Sequence, residues 1–352
     1  MAPIEVVQQR AGAWFLKSGI QEPGGGVARY YRAAVHANLP VSSEITGYAA
    51  SALAYLHSRT GDQAYLDAAV RAADFLTDTA WDSDSHTFPF EPGSDRAYFF
   101  DLGIIARGLM AVYRATGDER YQARARDAAL SLGLDFLGEG YFCPVISVPM
   151  KEPLPQEPRW SRQPGCYQLK SALIWRQMQD EHADRMFHVS LAMALATHES
   201  FLPGEANQEK VMDRLHAYSY FLEALLAATE HEEVRSALTW GLDWAGGLLR
   251  EIAPVFERSD VSAQLLRVRL MAHHLGAVPL NTAAAAEEAE RAASFQATSD
   301  DGRLDGGFWF GRNESGVLPF SNPVSTAFCV QALTLWDDHQ RGRWNFELTE
   351  LI

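Results

Sequence analysis

Apolar residues recur along the chain at i, i+3, i+4 and i+7 in about twelve segments, the spacing that lines one face of a helix. The pattern predicts helices over 4–17, 43–59, 62–77, 97–115, 118–137, 165–179, 183–199, 209–229, 231–251, 260–275, 281–297 and 323–338. Almost nowhere do apolar and polar residues alternate well enough to predict a strand. Alanine and leucine fill the segments, while glycine and proline collect between them. One punctuation repeats: Thr60-Gly61-Asp62-Gln63-Ala64-Tyr65 returns as Thr116-Gly117-Asp118-Glu119-Arg120-Tyr121. Glycine ends one helix in the left-handed conformation, and the aspartate accepts the free N–H groups that start the next. Each TGDxxY is therefore a tight helix–turn–helix.

The connections alternate in length. Short links lie around 60–61, 116–117, 180–182, 230 and 276–280, after the second, fourth, sixth, eighth and tenth segments. Long links, 18–42, 78–96, 138–164, 200–208, 252–259 and 298–322, precede the even ones. Hairpin helices run antiparallel, so all the long links fall at one end. The expectation is an all-α (α/α)6 toroid, a single domain over 1–352, with even helices inside and odd helices outside. Function sits on loops held by a rigid scaffold, which directs attention to the rim and the inner-helix starts.

Composition narrows the function classes. The 352 residues are 47% hydrophobic and 21% charged, an ordinary globular balance that excludes disorder and low complexity. A net charge of −15 argues against nucleic acid and anionic membranes as partners. No apolar run is long enough for a membrane helix, and no basic stretch followed by an apolar one opens the chain. Cys143, Cys166 and Cys329 are odd in number and widely spaced, which argues against disulfides and zinc ribbons. The expected setting is cytoplasmic.

The stretches GGGVARYY (24–31), SEITGY (43–48), YFFDLG with TGDERY (98–121), LHAYSYFLEALL (215–226) and FSNPVSTAFCVQAL (320–333) resemble six-hairpin toroid proteins of bacterial glycan metabolism. That group includes glycoside hydrolases, unsaturated glucuronyl hydrolases, polysaccharide lyases and sugar epimerases. The resemblance implies a saccharide substrate or ligand and leaves the reaction open.

Candidate chemistry follows from the residues themselves. Asp101 lies in the apolar run Tyr98–Ile105, where lost hydration favours the neutral carboxyl and suits a general acid. Its bland alternative is a structural aspartate paired with an arginine such as Arg107. Glu44 opens the second helix, a place the helix dipole favours for any acid, and Tyr48 shares its face. Asp213, His216, Tyr220 and Glu223 form a polar stripe on an apolar helix, giving His216 partners for proton transfer. Asp260, Gln264 and Arg267 repeat such a stripe, although Asp260 also suits a helix cap. Tyr167 and Lys170 follow Gln163-Pro164-Gly165, and Asn322 precedes the last helix. Trp81, Trp160 and Trp309 lie in long loops, where ring faces can pack on sugar C–H faces or simply plug the fold.

The expected catalytic groups are Asp101, Glu44, His216 and Asp260. Tyr48, Trp81, Trp160, Tyr167, Lys170, Tyr220, Gln264, Arg267, Trp309 and Asn322 are the expected substrate contacts. In a hydrolase, Asp101 protonates a departing oxygen or the vinyl ether of an unsaturated uronide, and Glu44 or Asp260 activates water. In an epimerase or lyase, Tyr220, Tyr48 or His216 moves the C5 proton while Arg267 or Lys170 neutralises the sugar carboxylate. A non-catalytic glycan-binding protein of polysaccharide biosynthesis is the alternative from another class. No metal or cofactor is expected: the chain has no P-loop, dinucleotide fingerprint, HExxH or EF-hand spacing.

Overall fold

The computed structural model describes residues 2–352. Among them are twelve α-helices: α1 (Ile4–Lys17), α2 (Ser43–Thr60), α3 (Gln63–Phe75), α4 (Phe99–Thr116), α5 (Glu119–Asp135), α6 (Leu169–Ala172), α7 (Glu181–Thr197), α8 (Gln208–Leu225), α9 (Glu232–Ile252), α10 (Ser259–His274), α11 (Thr282–Ala293) and α12 (Pro323–Gln340). The chain divides into two compact units. One comprises the stretch up to Ser18, Tyr30–Ala37 and Leu195–Leu351; the other comprises Gly19–Arg29, Asn38–Ala194 and Ile352.

Both TGDxxY turns take the expected form. Gly61 and Gly117 end α2 and α4 at φ 73° and 74°, in the left-handed region. The side chains of Asp62 and Asp118 then accept the N–H groups of Ala64 and Arg120. Burial separates two kinds of helix. Every residue of α10 from Ser259 to Ala272 is buried, whereas α9 buries one stripe that includes Val234, Leu238, Leu242, Ala245 and Leu249. The first pattern belongs to an inner helix and the second to an outer one.

The helix expected over 165–179 is shorter and more tightly wound. Only Leu169–Ala172 is α-helical; Cys166–Gln168 and Trp175–Gln177 are 3₁₀ turns, with i to i+3 bonds such as Ile174 N–H to Ser171 O. Packing explains it. A Cβ at Gly103 of α4 would overlap the backbone and side chain of Ser171, whose Oγ donates to Phe100 O at 2.8 Å. That α4 contact shapes α6 more strongly than its own propensity does.

Eight short strands also appear where almost none was expected: β1 (Tyr31–Arg32), β2 (Ala37–Asn38), β3 (Arg96–Tyr98), β4 (Val145–Ser147), β5 (Phe256–Arg258), β6 (Gly311–Asn313), β7 (Gly316–Val317) and β8 (Phe320–Ser321). Two or three residues cannot display an alternating pattern. Antiparallel pairing places Arg96 opposite Ser147, Arg258 opposite Gly311 and Tyr31 opposite Ser321. β3 runs directly into α4 and β5 into α10, so these ladders fix where inner helices begin.

Glycines set the spacing of α2 and α4. A Cβ at Gly108 would overlap the Gly47 carbonyl, and one at Gly47 would lie 2.9 Å from Ile105 Cα. Alanine is worth about 1 kcal/mol over glycine in an open helix, yet Gly103→Ala and Gly108→Ala should lower the urea midpoint, because backbone must move to admit the methyl group. Gly247 of α9, with open space around its Cα, is the internal reference. Gly247→Ala should leave the midpoint unchanged or raise it.

Candidate active site

Two polar groups form on inner helices, one in each unit. In the Gly19–Ala194 unit, Ser42 caps α2 by accepting the Ile45 N–H, and Glu44 sits in the first turn. Asp101 occupies the first turn of α4, one helical turn ahead of the glycine-mediated contact between α2 and α4. Asp101 is 7% exposed and its Oδ2 has no hydrogen-bond partner. Glu44 keeps partial access to solvent. Burial raises Glu44 to about 7, against the pull of Arg29. Burial first, and then the Glu44 charge, hold Asp101 well above the usual carboxylate range. The two carboxyls titrate as a coupled pair, and both hold their protons more tightly than ordinary carboxylates do.

Several expected contacts in this unit have defined internal roles. Trp81 is buried edge-to-face against Phe88 and beneath the Arg124 guanidinium. Trp160 meets Tyr167 edge-to-face at 5.0 Å, and the Tyr167 hydroxyl donates to Gln163 O. Tyr48 is buried on α2. Lys170 is fully buried and donates to Ile352 O at 2.9 Å.

Within the Leu195–Leu351 unit, His216 of α8 and Gln264 of α10 meet. His216 Nδ1 donates to Gln264 Oε1 at 2.8 Å, and Asp260 Oδ2 lies 3.6 Å from the same nitrogen. Burial, followed by the nearby Arg258 charge, lowers His216 to about 4. The ring is neutral near pH 7, so with Nδ1 carrying the proton, Nε2 keeps its lone pair for use as a base. Burial alone would raise Asp260, but Arg258 grips both its oxygens, at 3.0 and 2.7 Å, and holds it below the usual range. Arg258 also reaches Asp213. Tyr220 packs edge-to-face on His216 at 4.6 Å. Gln264 Nε2 is buried without a partner.

Arg267 is held by Glu223 and Gln331 and stacks 4.0 Å above Phe328. Asn322 caps α12 through the N–H groups of Val324 and Ser325. Trp309 is half-buried, and its carbonyl accepts from Ser259 Oγ. Arg29 and Arg258 were not singled out from sequence. Each precedes its helix in a loop or a short strand, and the only trace is the charge pattern Arg258-Ser259-Asp260.

In sequence, the chain matches no protein family and no curated protein. In structure it is similar to cellobiose 2-epimerase from Spirochaeta thermophila, at 12% identity over 96% of this chain and 98% of that one, with a TM-score of 0.72. It is likewise similar to an unsaturated glucuronyl hydrolase specific for heparin, at 12% identity, 96% and 98% coverage and a TM-score of 0.68. A D-mannose isomerase aligns at 10% identity, 94% and 97% coverage and a TM-score of 0.68. These likenesses show the fold, that of the six-hairpin (α/α)6 toroid enzymes.

The two groups give opposite pH signatures. The folded chain binds the Glu44 proton more tightly than the unfolded chain, so stability falls as pH rises from about 4.5 to about 7. Thermal melts of Glu44→Gln should lie above wild type on the alkaline side of this window, by at most about 3 kcal/mol, and match it on the acid side. His216 excludes its proton in the fold, so its contribution is lost as pH falls from about 6.5 to about 4. A carbon-13 carboxyl titration that placed Glu44 and Asp101 both near 4 would remove the acid pair.

Proposed function

We propose that this protein is a carbohydrate-active enzyme of the glycoside-hydrolase type, with Asp101 as general acid and Glu44 as its partner carboxylate. The observation that carries the reading is a desolvated acid with an unpartnered oxygen, raised further by the charge of a second carboxylate. Fully solvated carboxylates could not divide the work of acid and base in this way near neutral pH. Asp101 delivers its proton to the glycosidic oxygen as the bond to the anomeric carbon breaks. Ionised Glu44 takes a proton from the attacking water, whose oxygen joins that carbon. Exchange with solvent then returns the proton to Asp101 and releases the one on Glu44. The structural neighbours, enzymes named for work on saccharides, favour this substrate class.

A second reading, sugar epimerisation or isomerisation, is supported by His216. A neutral imidazole with Nδ1–H fixed on Gln264 has the protonation state needed to remove a carbon-bound proton through Nε2.

Mass spectrometry of oligosaccharides incubated in 18O-water and in D2O separates these readings. The hydrolase reading expects 18O in a shortened product, and Asp101→Asn should lower turnover about a hundredfold or more while retaining binding. Deuterium uptake without cleavage, abolished by His216→Ala, would replace it with the epimerase reading. Binding without either change would point to a glycan-binding protein.

A further inference from the structure

We infer that the sugar unit bound beside Glu44 and Asp101 is an uncharged pyranose, because Arg29, Arg162 and Lys170 are already paired and the unpartnered buried oxygens at these helix starts include those of a hydroxyl and an acid. This inference rests on the carbohydrate reading and narrows it. A uronate carboxylate entering a partly dehydrated site needs a guanidinium or ammonium free to receive it, since the alternative is an unpaired buried charge.

Arg29 is the cation whose field reaches both acids, and its Nη2 donates to Glu91 Oε1 at 2.6 Å. Its guanidinium also covers the Phe90 ring at 4.9 Å, so both its charge and its face are engaged. Arg162, above the Tyr98 ring, lies 3.4 Å from Glu157. Lys170 donates to Ile352 O. At the starts of α2 and α4 the buried atoms without a hydrogen-bond partner include Ser43 Oγ and Asp101 Oδ2. Sugar hydroxyls can satisfy both, donating to one and accepting from the other.

Within the other unit the same accounting holds on its own terms. Arg258 is divided between Asp213 and Asp260, and Arg267 is bound to Glu223. The buried side-chain atoms without a hydrogen-bond partner there include Gln264 Nε2, Ser321 Oγ and Ser325 Oγ. Glu44 adds a negative charge that repels an anion as it ionises, and the chain as a whole carries −15.

The test uses matched oligosaccharides that differ only in oxidation at C6: glucose against glucuronic acid, galactose against galacturonic acid, mannose against mannuronic acid. Binding to Asp101→Asn by calorimetry should favour the neutral member of at least one pair by tenfold or more and depend little on ionic strength. In a second arm, Glu91→Gln in the same background releases Arg29 and should raise affinity for the uronide member at least tenfold, with the gain fading as salt is added. Uronides bound as tightly as neutral sugars before Glu91 is changed would overturn the inference and leave the carbohydrate reading intact. No binding of any member to wild type or either variant would overturn the carbohydrate reading, and this inference with it.

Discussion

The arrangement of the acids depends on how closely α4 packs against its neighbours. Gly108 meets the Gly47 carbonyl of α2 on one side, and Gly103 meets Ser171 of α6 on the other. No side chain separates these backbones. The first turns of α2 and α4 are drawn together with them, and those turns carry Glu44 and Asp101. Two carboxylates held in this way lose water and feel each other. The helix N-termini offer some compensation worth a few tenths to about 1 kcal/mol, too little to offset burial, so both proton affinities rise.

Perturbed acids elsewhere show why raised proton affinity alone does not mark a site. Burial raises Glu288 on α11 to about 7 as well, yet Arg269 donates to both of its oxygens, at 2.8 and 2.9 Å. Glu257 is similarly shared between Arg291 and Arg312. Both oxygens of each of these carboxylates are engaged by arginine within the fold. Asp101 differs in having an oxygen left over, and His216 in having a nitrogen left over behind a fixed tautomer. Chemistry needs an unused valence as well as a shifted proton affinity, and inner helices supply both at Asp101 and His216.

The sequence made the helices legible because their signals are local. The TGDxxY turns carry their own capping chemistry, and the spans of α1, α2, α8, α10 and α12 follow from 3.6-residue periodicity alone. α6 was misread because Gly103 and Ser171, far apart in sequence, decide its winding. The short strands escaped because their pairing is wholly long-range. Among site residues, Asp101 was visible as a charge in an apolar run, and Glu44 through the alternation of loop lengths. The same logic pointed to Lys170 and Arg267, but it had no access to the Ile352 carbonyl or the Glu223 carboxylate that engage them. Arg29 and Arg258 lie outside helical stripes, so periodicity had no means of finding them.

At 10–12% identity to enzymes named as an epimerase, a hydrolase and an isomerase, what the likeness shows is the shared hairpin scaffold. Hydrolysis and epimerisation differ in where a proton must go. A glycosidic oxygen takes it from an acid that remains protonated near neutrality, while a sugar carbon yields it to a base that remains neutral there. Both requirements reduce to dehydration balanced against neighbouring charge within one helical turn. An inner helix buried all round, as α10 is from Ser259 to Ala272, provides the dehydration, and the cation beside an acid sets the balance. Asp260, gripped by Arg258, lies beside His216 with its proton affinity lowered; Asp101, which lacks such a grip, holds its proton more tightly than an ordinary carboxyl.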